Sequence, residues 1–481
     1  MTSRRTPIAL AVVALVAASL LTGCNPSSTL ARPWDPVVVT GAQVPSLAGT
    51  PVDRVVAFRI TRTDDVGTWT QIPVQVDQRH VVPFGVQPGS NATAGTPGTV
   101  YGNGSGGPTA LQYSDPDTWV GADPNPSLDP DDEVAVTARD AGGQARSIDG
   151  EPAGVVPGSG VAVEVTDPRG EGERGWVYLF RSTGGLDPAA GQDYVTYSFE
   201  LTSGDYRGTY LRSDGPNPET SWVETDSYRI ELPDRWKETS WEIRAGSATG
   251  ADIVDAYKNQ FAPGACGRSN ATFADAEGAF VANVDGPVRA IRSYVGANSG
   301  PLTQRTHLFY ADRVEVITDL RVHSVGGIVD YVDYGPGAVG MTYRSNQIPG
   351  GVAIDGSDDQ VPGAAPRWEA VDGPQGRVYT ATRIDTGIGS LSLGGFYRDQ
   401  DDPDEAQCWG DDVYLGASGL AVTGGIPNTD PRTQPSASLR AVRTTQFLPP
   451  AADPSRISAY ADDWARDLDA PSTIRVAPYA P

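Results

Sequence analysis

The chain has 481 residues, in which 60 Asp and Glu outnumber 36 Lys and Arg for a formal net charge of -24. A surface this acidic repels polyanions, which excludes nucleic acid and anionic lipid headgroups as partners and leaves neutral glycans, cationic ligands or calcium. The 56 Gly and 40 Pro require many turns between short strands.

The chain opens with Arg4 and Arg5 ahead of an apolar run from Ile8 to Leu21, long enough for a signal peptide and too short to span a bilayer. The run closes on Leu21-Thr22-Gly23-Cys24. These four residues resemble the lipobox of bacterial lipoproteins. The resemblance implies a signal peptide over 1–23, diacylglycerol on the Cys24 thiol and residence on the outer face of the cell membrane, held by the acyl anchor. Cleavage would remove Arg4 and Arg5, taking the charge from -24 to -26. Ser3-Arg4-Arg5-Thr6 resembles a twin-arginine signal, with Pro7 where that pattern has an apolar residue, so Sec and twin-arginine export both stay open. With Cys24 acylated, Cys266 and Cys408 remain; outside the cytoplasm two such cysteines pair, and their bridge would contribute roughly 4 to 5 kcal/mol by loop closure.

Residues 24–36 read as a tether. Strands are expected at Val55–Ile60, at Trp69–Asp77 with Pro73 marking an edge or bulge, and at Val134–Ala138, with an exposed loop over 85–107. These make a small N-terminal β-domain, 37–150. A second domain, 160–450, reads as a large antiparallel β-sandwich, with strands at Val161–Val165, Gly175–Phe180, Tyr194–Leu201, Ser227–Leu232, Val288–Val295, Thr303–Tyr310 and Val314–His323. Between them, Ile253, Val254, Tyr257 and Phe261 are spaced as on a short helix over 251–261. A C-terminal helix over 453–468 has Asp453 as N-cap and Pro454 at its first position. Ile457, Tyr460, Ala461, Trp464 and Leu468 form its packing stripe. The fold class is therefore all-β, similar in architecture to the supersandwiches of carbohydrate-active proteins such as the mutarotase-like and lyase folds, with no catalytic motif of those families.

Two acidic segments suggest calcium. Asp123, Asn125, Ser127, Asp129 and Asp132 place oxygen ligands at alternate positions, as a wrapped hard cation needs. They resemble the loop of EF-hand and dockerin-type modules, without the glycine of its sharp turn. The second segment holds Asp399, Asp401, Asp402, Asp404, Glu405, Asp411 and Asp412 around Cys408.

The three strands of 288–323 carry the candidate site. Sorted by period two, they give one polar and one apolar face. Arg292 and Tyr294 fall together on the first strand, Arg305, His307 and Phe309 on the second, and Glu315, Asp319, Arg321 and His323 on the third. Two of only three histidines lie here. Such a face suits a polysaccharide: arginine forks grip hydroxyls or carboxylates, and His or Tyr moves a proton. Tyr294, His307, Asp319 and Asp330 are the expected catalytic groups, with Asp333 beside Asp330, and Arg292, Arg305, Arg321 and His323 the ligand-binding ones. His80 reads as structural. An exposed antiparallel sheet face is polar in any case, so three functions stay open: a surface lipoprotein that binds or processes an extracellular polysaccharide by lyase or hydrolase chemistry, a calcium-stiffened adhesion or scaffold lipoprotein, and a transporter's solute-binding lipoprotein.

Overall fold

The computed structural model describes residues 28–63, 66–83, 109–202, 219–261, 279–296, 302–400, 413–431, 434, 437–479 and 481. Cys24, Cys266 and Cys408, the loop expected over 85–107 and the acidic residues from Asp401 to Asp412 lie outside them.

The fold is all-β and antiparallel. Its largest element is a nine-stranded sheet, in spatial order Ala279–Val284, Ala290–Val295, Gln304–Phe309, Arg313–Asp319, Leu439–Leu448, Gly376–Thr386, Glu369–Gly373, Thr342–Ser345 and Ile348–Ala353. Two four-stranded sheets face it. One runs Thr196–Ser198, Ser221–Glu224, Tyr228–Leu232 and Ser240–Ile243; the other runs Val254–Phe261, Ile328–Tyr334, Tyr414–Val422 and Leu393–Gln400. Tyr228, Ile230, Trp241 and Ile243 of the first and Tyr257, Val332 and Tyr334 of the second share one buried cluster with Phe309, Val316, Val378 and Phe447 of the large sheet. That cluster is the core of a two-layer sandwich.

Val254–Phe261 is a strand, not the helix expected over 251–261, and it pairs with Ile328–Tyr334 along its length. A bulge between Val254 and Ala256 inserts one residue and shifts the face parity. Val254 and Tyr257, three apart, therefore both reach the core, and the spacing imitates a helical stripe.

The N-terminal module lies against the other face of the large sheet. Pro36–Thr40, Glu133–Thr137 and Gln75–Asp77 form a three-stranded sheet, and Arg79–Pro83 pairs with Thr109–Tyr113 as a hairpin. The chain breaks between Val66–Ile72 and Gln75–Asp77 at Pro73, where the sequence places an edge or bulge. A five-stranded sheet joins Val55–Thr63 and Val66–Ile72 to Val161–Thr166, Arg174–Arg181 and the C-terminal strand Thr473–Pro478. The segment 161–181 thus pairs with the N-terminal module, and the end of the chain returns to complete it.

The C-terminal helix forms as its cap and stripe require. Asp453 accepts a hydrogen bond from the Ser455 amide, a 3-10 turn spans Pro454–Arg456, and the helix runs over Ile457–Asp469. Ile457, Ala461, Trp464 and Ala465 pack on Trp368, Ala370 and Tyr379 of the large sheet. Among the described residues no helix is long and apolar enough to cross a membrane.

Candidate functional site

The strands Ala290–Val295, Gln304–Phe309 and Arg313–Asp319 are neighbours in register, with Arg292 opposite His307, Tyr294 opposite Arg305, and His307 opposite Val316. The polar set Arg292, Tyr294, Arg305 and His307 therefore shares its face with Val314, Val316 and Thr318, while Glu315, Ile317 and Asp319 point the other way. The expected single polar face is two half-polar faces. The first is not an open groove but the inner face of the sandwich, where all four polar residues are buried.

Each buried charge there has a partner from the opposing layer. Arg292 meets Glu219 through two bonds of 2.8 Å and donates also to the Asp234 carbonyl and the Tyr197 hydroxyl. His307 Nδ1 lies 3.0 Å from Glu238 Oε1, and Trp241 Nε1 donates to the other carboxylate oxygen at 2.8 Å. Tyr294 Oη is 3.1 Å from His307 Nε2. Burial pushes the His307 pKa down and that of Tyr294 up. Burial also opposes ionisation of Glu238, but His307, the hydrogen bond from Trp241 and the charge of Arg305 together outweigh this and hold the carboxyl below its ordinary range. His307 is thus a neutral ring clamped between a carboxylate and a phenol, sealed from solvent.

Asp330 and Arg305 are the members of the expected set that reach an opening on this side. A cleft of about 50 Å³ between the layers is lined by Trp236, Tyr257, Asn259, Arg305, Asp330 and Arg443, together with Thr303, Thr318 and Thr382. Its remaining lining is mostly aliphatic, with Val316, Leu320 and Leu420 among the residues. Asp330 accepts from Tyr257 Oη and Asn259 Nδ2, each at 2.9 Å, from Arg443 at 3.3 Å and from Arg305 at 3.4 Å. Asp333 points the opposite way and pairs with buried Lys258 at 2.8 Å. Asp330 and Asp333 are therefore not an acid/base pair on one surface.

Asp319 and Arg321 sit on the outer face, in a groove of about 600 Å³ between the large sheet and the N-terminal module. Gln304, Thr306, Leu308, Glu315 and Ile317 form its floor; Arg79, Gln112, Tyr113, Glu133 and Arg289 come from the module and the loop that docks it. Arg289 joins the halves: it bonds Asp77 at 2.6 Å and Glu133 at 2.5 Å, while the Gln75 side chain accepts its amide. Asp319 is gripped by Arg440 at 2.8 and 3.0 Å and lies 3.6 Å from Arg321. Burial pulls the Arg321 pKa down. Burial opposes the charge on Glu133, but Arg289 and Arg79 outweigh it and hold that carboxyl low. Burial lifts the Tyr310 phenol at the groove wall to about 12. Four arginines face three carboxylates here, Glu133, Glu315 and Asp319, so the groove is close to neutral inside a strongly acidic molecule. Sequence spacing singles out Asp319 and Arg321 but not Arg79, Tyr113, Glu133 or Arg440, which arrive from distant segments.

The remaining expected residues lie apart from both openings. His323 is exposed, its Nδ1 2.8 Å from the Ser324 carbonyl, and His80 lies 2.7 Å from the Ser114 hydroxyl. In the acidic loop, Asp123 accepts from the Asn125 amide, Asn125 from the Ser127 amide, Asp129 from the Asp131 amide, and Asp132 from the amides of Arg79 and Asp129. One oxygen each of Asp123, Asn125 and Asp129 and both oxygens of Asp132 thus accept backbone amides. Burial raises the Asp132 pKa to about 6. Asp399 likewise accepts from the amides of Asp355, Gly356 and Gly416. Among the described residues no group of three or more His, Cys, Asp or Glu is placed to hold a metal ion.

No protein-family model matches the chain. No curated protein matches it in sequence either. Among solved structures, the Slr1438 protein of Synechocystis sp. PCC 6803 is similar over 48% of this chain and 97% of its own, at 13% identity and a TM-score of 0.27. A putative aldose 1-epimerase of Escherichia coli K12 is similar over 52% of this chain and all of its own, at 10% identity and a TM-score of 0.26. At these scores neither likeness bears on what the chain does.

Proposed function

We propose that this protein is a lipid-anchored extracytoplasmic glycan-binding protein, and that the glycan lies in the groove on the outer face of the large sheet. The observation that carries this reading is the groove itself: about 600 Å³, lined by alternating guanidinium, carboxylate, amide and hydroxyl groups with short aliphatic patches at Leu308 and Ile317. Such a surface offers donors and acceptors in the density that sugar hydroxyls need, and a nearly balanced charge suits a neutral or weakly acidic polymer. Binding is favoured over turnover. Tyr294 and His307, the proton carriers expected from sequence, are sealed on the other face of the sheet. The groove carboxylates are each held in an ion pair, Glu133 with Arg79 and Arg289, Glu315 with Arg313, and Asp319 with Arg440. A carboxylate so held is a poor general acid. The run ending at Cys24 supports the anchor, which would hold the groove at the cell surface.

The test is titration with soluble oligosaccharides from a panel of bacterial and plant glycans, on wild-type protein and Asp319→Ala. The variant removes the acceptor that positions Arg440 and Arg321. It should bind about tenfold more weakly or worse while melting close to wild type, because exposed ion pairs contribute little to stability. Unchanged affinity in the variant, or appearance of cleaved glycan, would count against the reading.

A further inference from the structure

The chain enters the fold at one end of the five-stranded sheet. Val55–Thr63 runs antiparallel to Arg174–Arg181 with Val55 opposite Arg181, and Thr63 is opposite Val66 on the next strand. Thr166 is opposite both Arg174 and Thr473. Thr63, Val66, Thr166, Arg174 and Thr473 therefore share that end of the sheet. Thr29 is tied to it: its amide donates to the Arg174 carbonyl at 3.0 Å, and the Arg174 amide donates back to Thr29 Oγ1 at 2.9 Å. Just beyond, buried Arg32 is held by Asp35, Asp167 and Asp467. The chain is thus fixed to the body from Thr29 onward. Five residue steps separate Cys24 from Thr29, a reach of about 17 Å at full extension. The strand Arg174–Arg181 is itself longer, about 24 Å, so an anchor at Cys24 favours one end of the sheet over the other.

The side chains at that end suit a lipid surface. Ile148 is 76% exposed and Val66 69%, the two highest values among the exposed large hydrophobics of the described residues. They flank one contact: Asp149, next to Ile148, accepts from Arg62 at 3.2 Å, and a Cβ on Gly67, next to Val66, would stand 2.5 Å from the Asp149 carboxylate. A lone exposed aliphatic needs no explanation; two beside each other where the chain enters do. The arginines nearby are already paired, Arg62 with Asp149, Arg169 with Asp463 and Asp467, and Arg174 with Glu164. The molecule as a whole repels anionic headgroups, so the contact available here is apolar. Building on the lipid anchor of the proposed function, we infer that this end of the sheet is the face that meets the membrane, with Val66 and Ile148 seated among the headgroups of a neutral bilayer. Two aliphatic side chains bind a bilayer weakly by themselves. The anchor makes their contact intramolecular, so they set the orientation of the body rather than its affinity.

The test uses the full chain, acylated in a bacterial host and reconstituted into phosphatidylcholine vesicles that carry nitroxide on a fraction of their headgroups. Flotation comes first. A chain that does not float with the vesicles lacks the anchor, which would overturn both that reading and this one. On floating protein, an environment-sensitive fluorophore is attached to Ile148→Cys or to Gly185→Cys, and the chain without an added cysteine gives the background from Cys266 and Cys408. Gly185 lies past the far end of Arg174–Arg181 and is exposed, with nothing within 4 Å of a Cβ built on it. The nitroxide should dim the label on residue 148 about twofold and leave that on residue 185 unchanged, in low and high salt alike. Equal dimming at both sites, no dimming at residue 148, or dimming there that salt abolishes would each overturn the inference while leaving the anchor standing. Val66→Cys repeats the measurement at the second apolar position, so the answer does not hang on one variant folding.

Discussion

His307 shows how far a residue's chemistry depends on what faces it. The same imidazole on an open sheet would be a proton carrier; between Glu238 and Tyr294 it is a neutral strut. Removing it takes a partner from the buried Glu238 carboxylate, which keeps its bond from Trp241. His307→Ala should therefore destabilise the fold by about 3 kcal/mol in urea melts while leaving glycan affinity intact. Intact stability with lost binding would instead restore His307 to an active site. Asp132 makes a pH-dependent case. Its folded pKa, raised to about 6 by burial, lies above the roughly 3.9 of an unfolded aspartate. The protonated form is thus favoured by folding. Its stabilisation is complete below the unfolded value and is lost as the pH rises through the folded one. The melting temperature of wild type relative to that of Asp132→Asn should accordingly fall between about pH 4 and about pH 6 and stay flat above. A wild type that gains on the variant as the pH rises through this window would contradict this assignment.

At the scale of the element, strand geometry accounts for both what the sequence reveals and what it hides. Alternation in Val161–Thr166, the apolar run within Arg174–Arg181, the break at Pro73 and the cap at Asp453 are legible because each is a local rule obeyed locally. The strand Val254–Phe261 is not, because one bulged residue converts a period of two into an apparent helical stripe. The polar face is legible as a set of residues but not as a buried surface. Glu219 lies 73 residues from Arg292 in the chain, and nothing near Arg292 announces it. Asp319 and Arg321 stand out by spacing, and the groove around them does not, since its other wall comes from residues 36–133. One glycine has a packing role that composition alone conceals. Gly419 lies in register between Tyr331 and Phe396, whose rings meet at 4.7 Å. A Cβ there would stand 2.1 Å from the Asp330 carbonyl oxygen and 2.6 Å from Tyr331 Cα. Backbone cannot yield as a flexible side chain does, so Gly419→Ala should cost about 1–3 kcal/mol, read as a lowered denaturation midpoint. A neutral result would mean that the two strands part more easily than their pairing implies.

The whole molecule is a large sandwich with a smaller β-module against its outer face. Arg289 ties the two together, and the last strand, Thr473–Pro478, pairs with the module. Tyr479 then closes an aromatic cluster with Trp69, Tyr178 and Phe180. This arrangement leaves a large polar groove at the junction, while the formal charge of -24 keeps polyanions away from it. The anchor fits the same plan: an acyl chain on Cys24 followed by a short tether would hold the groove at the outer surface. Cys24→Ser should move the protein from the membrane fraction to the soluble fraction of lysed cells, and retention in the membrane would rule out the lipid anchor. The groove is tested most directly as a glycan site by calorimetric titration of a bound glycan into wild type and into Ile317→Trp, which places a bulky ring on the groove floor and removes no member of an ion pair. Tight binding to wild type and none to the folded variant is expected; equal binding to both would place the glycan elsewhere on the molecule.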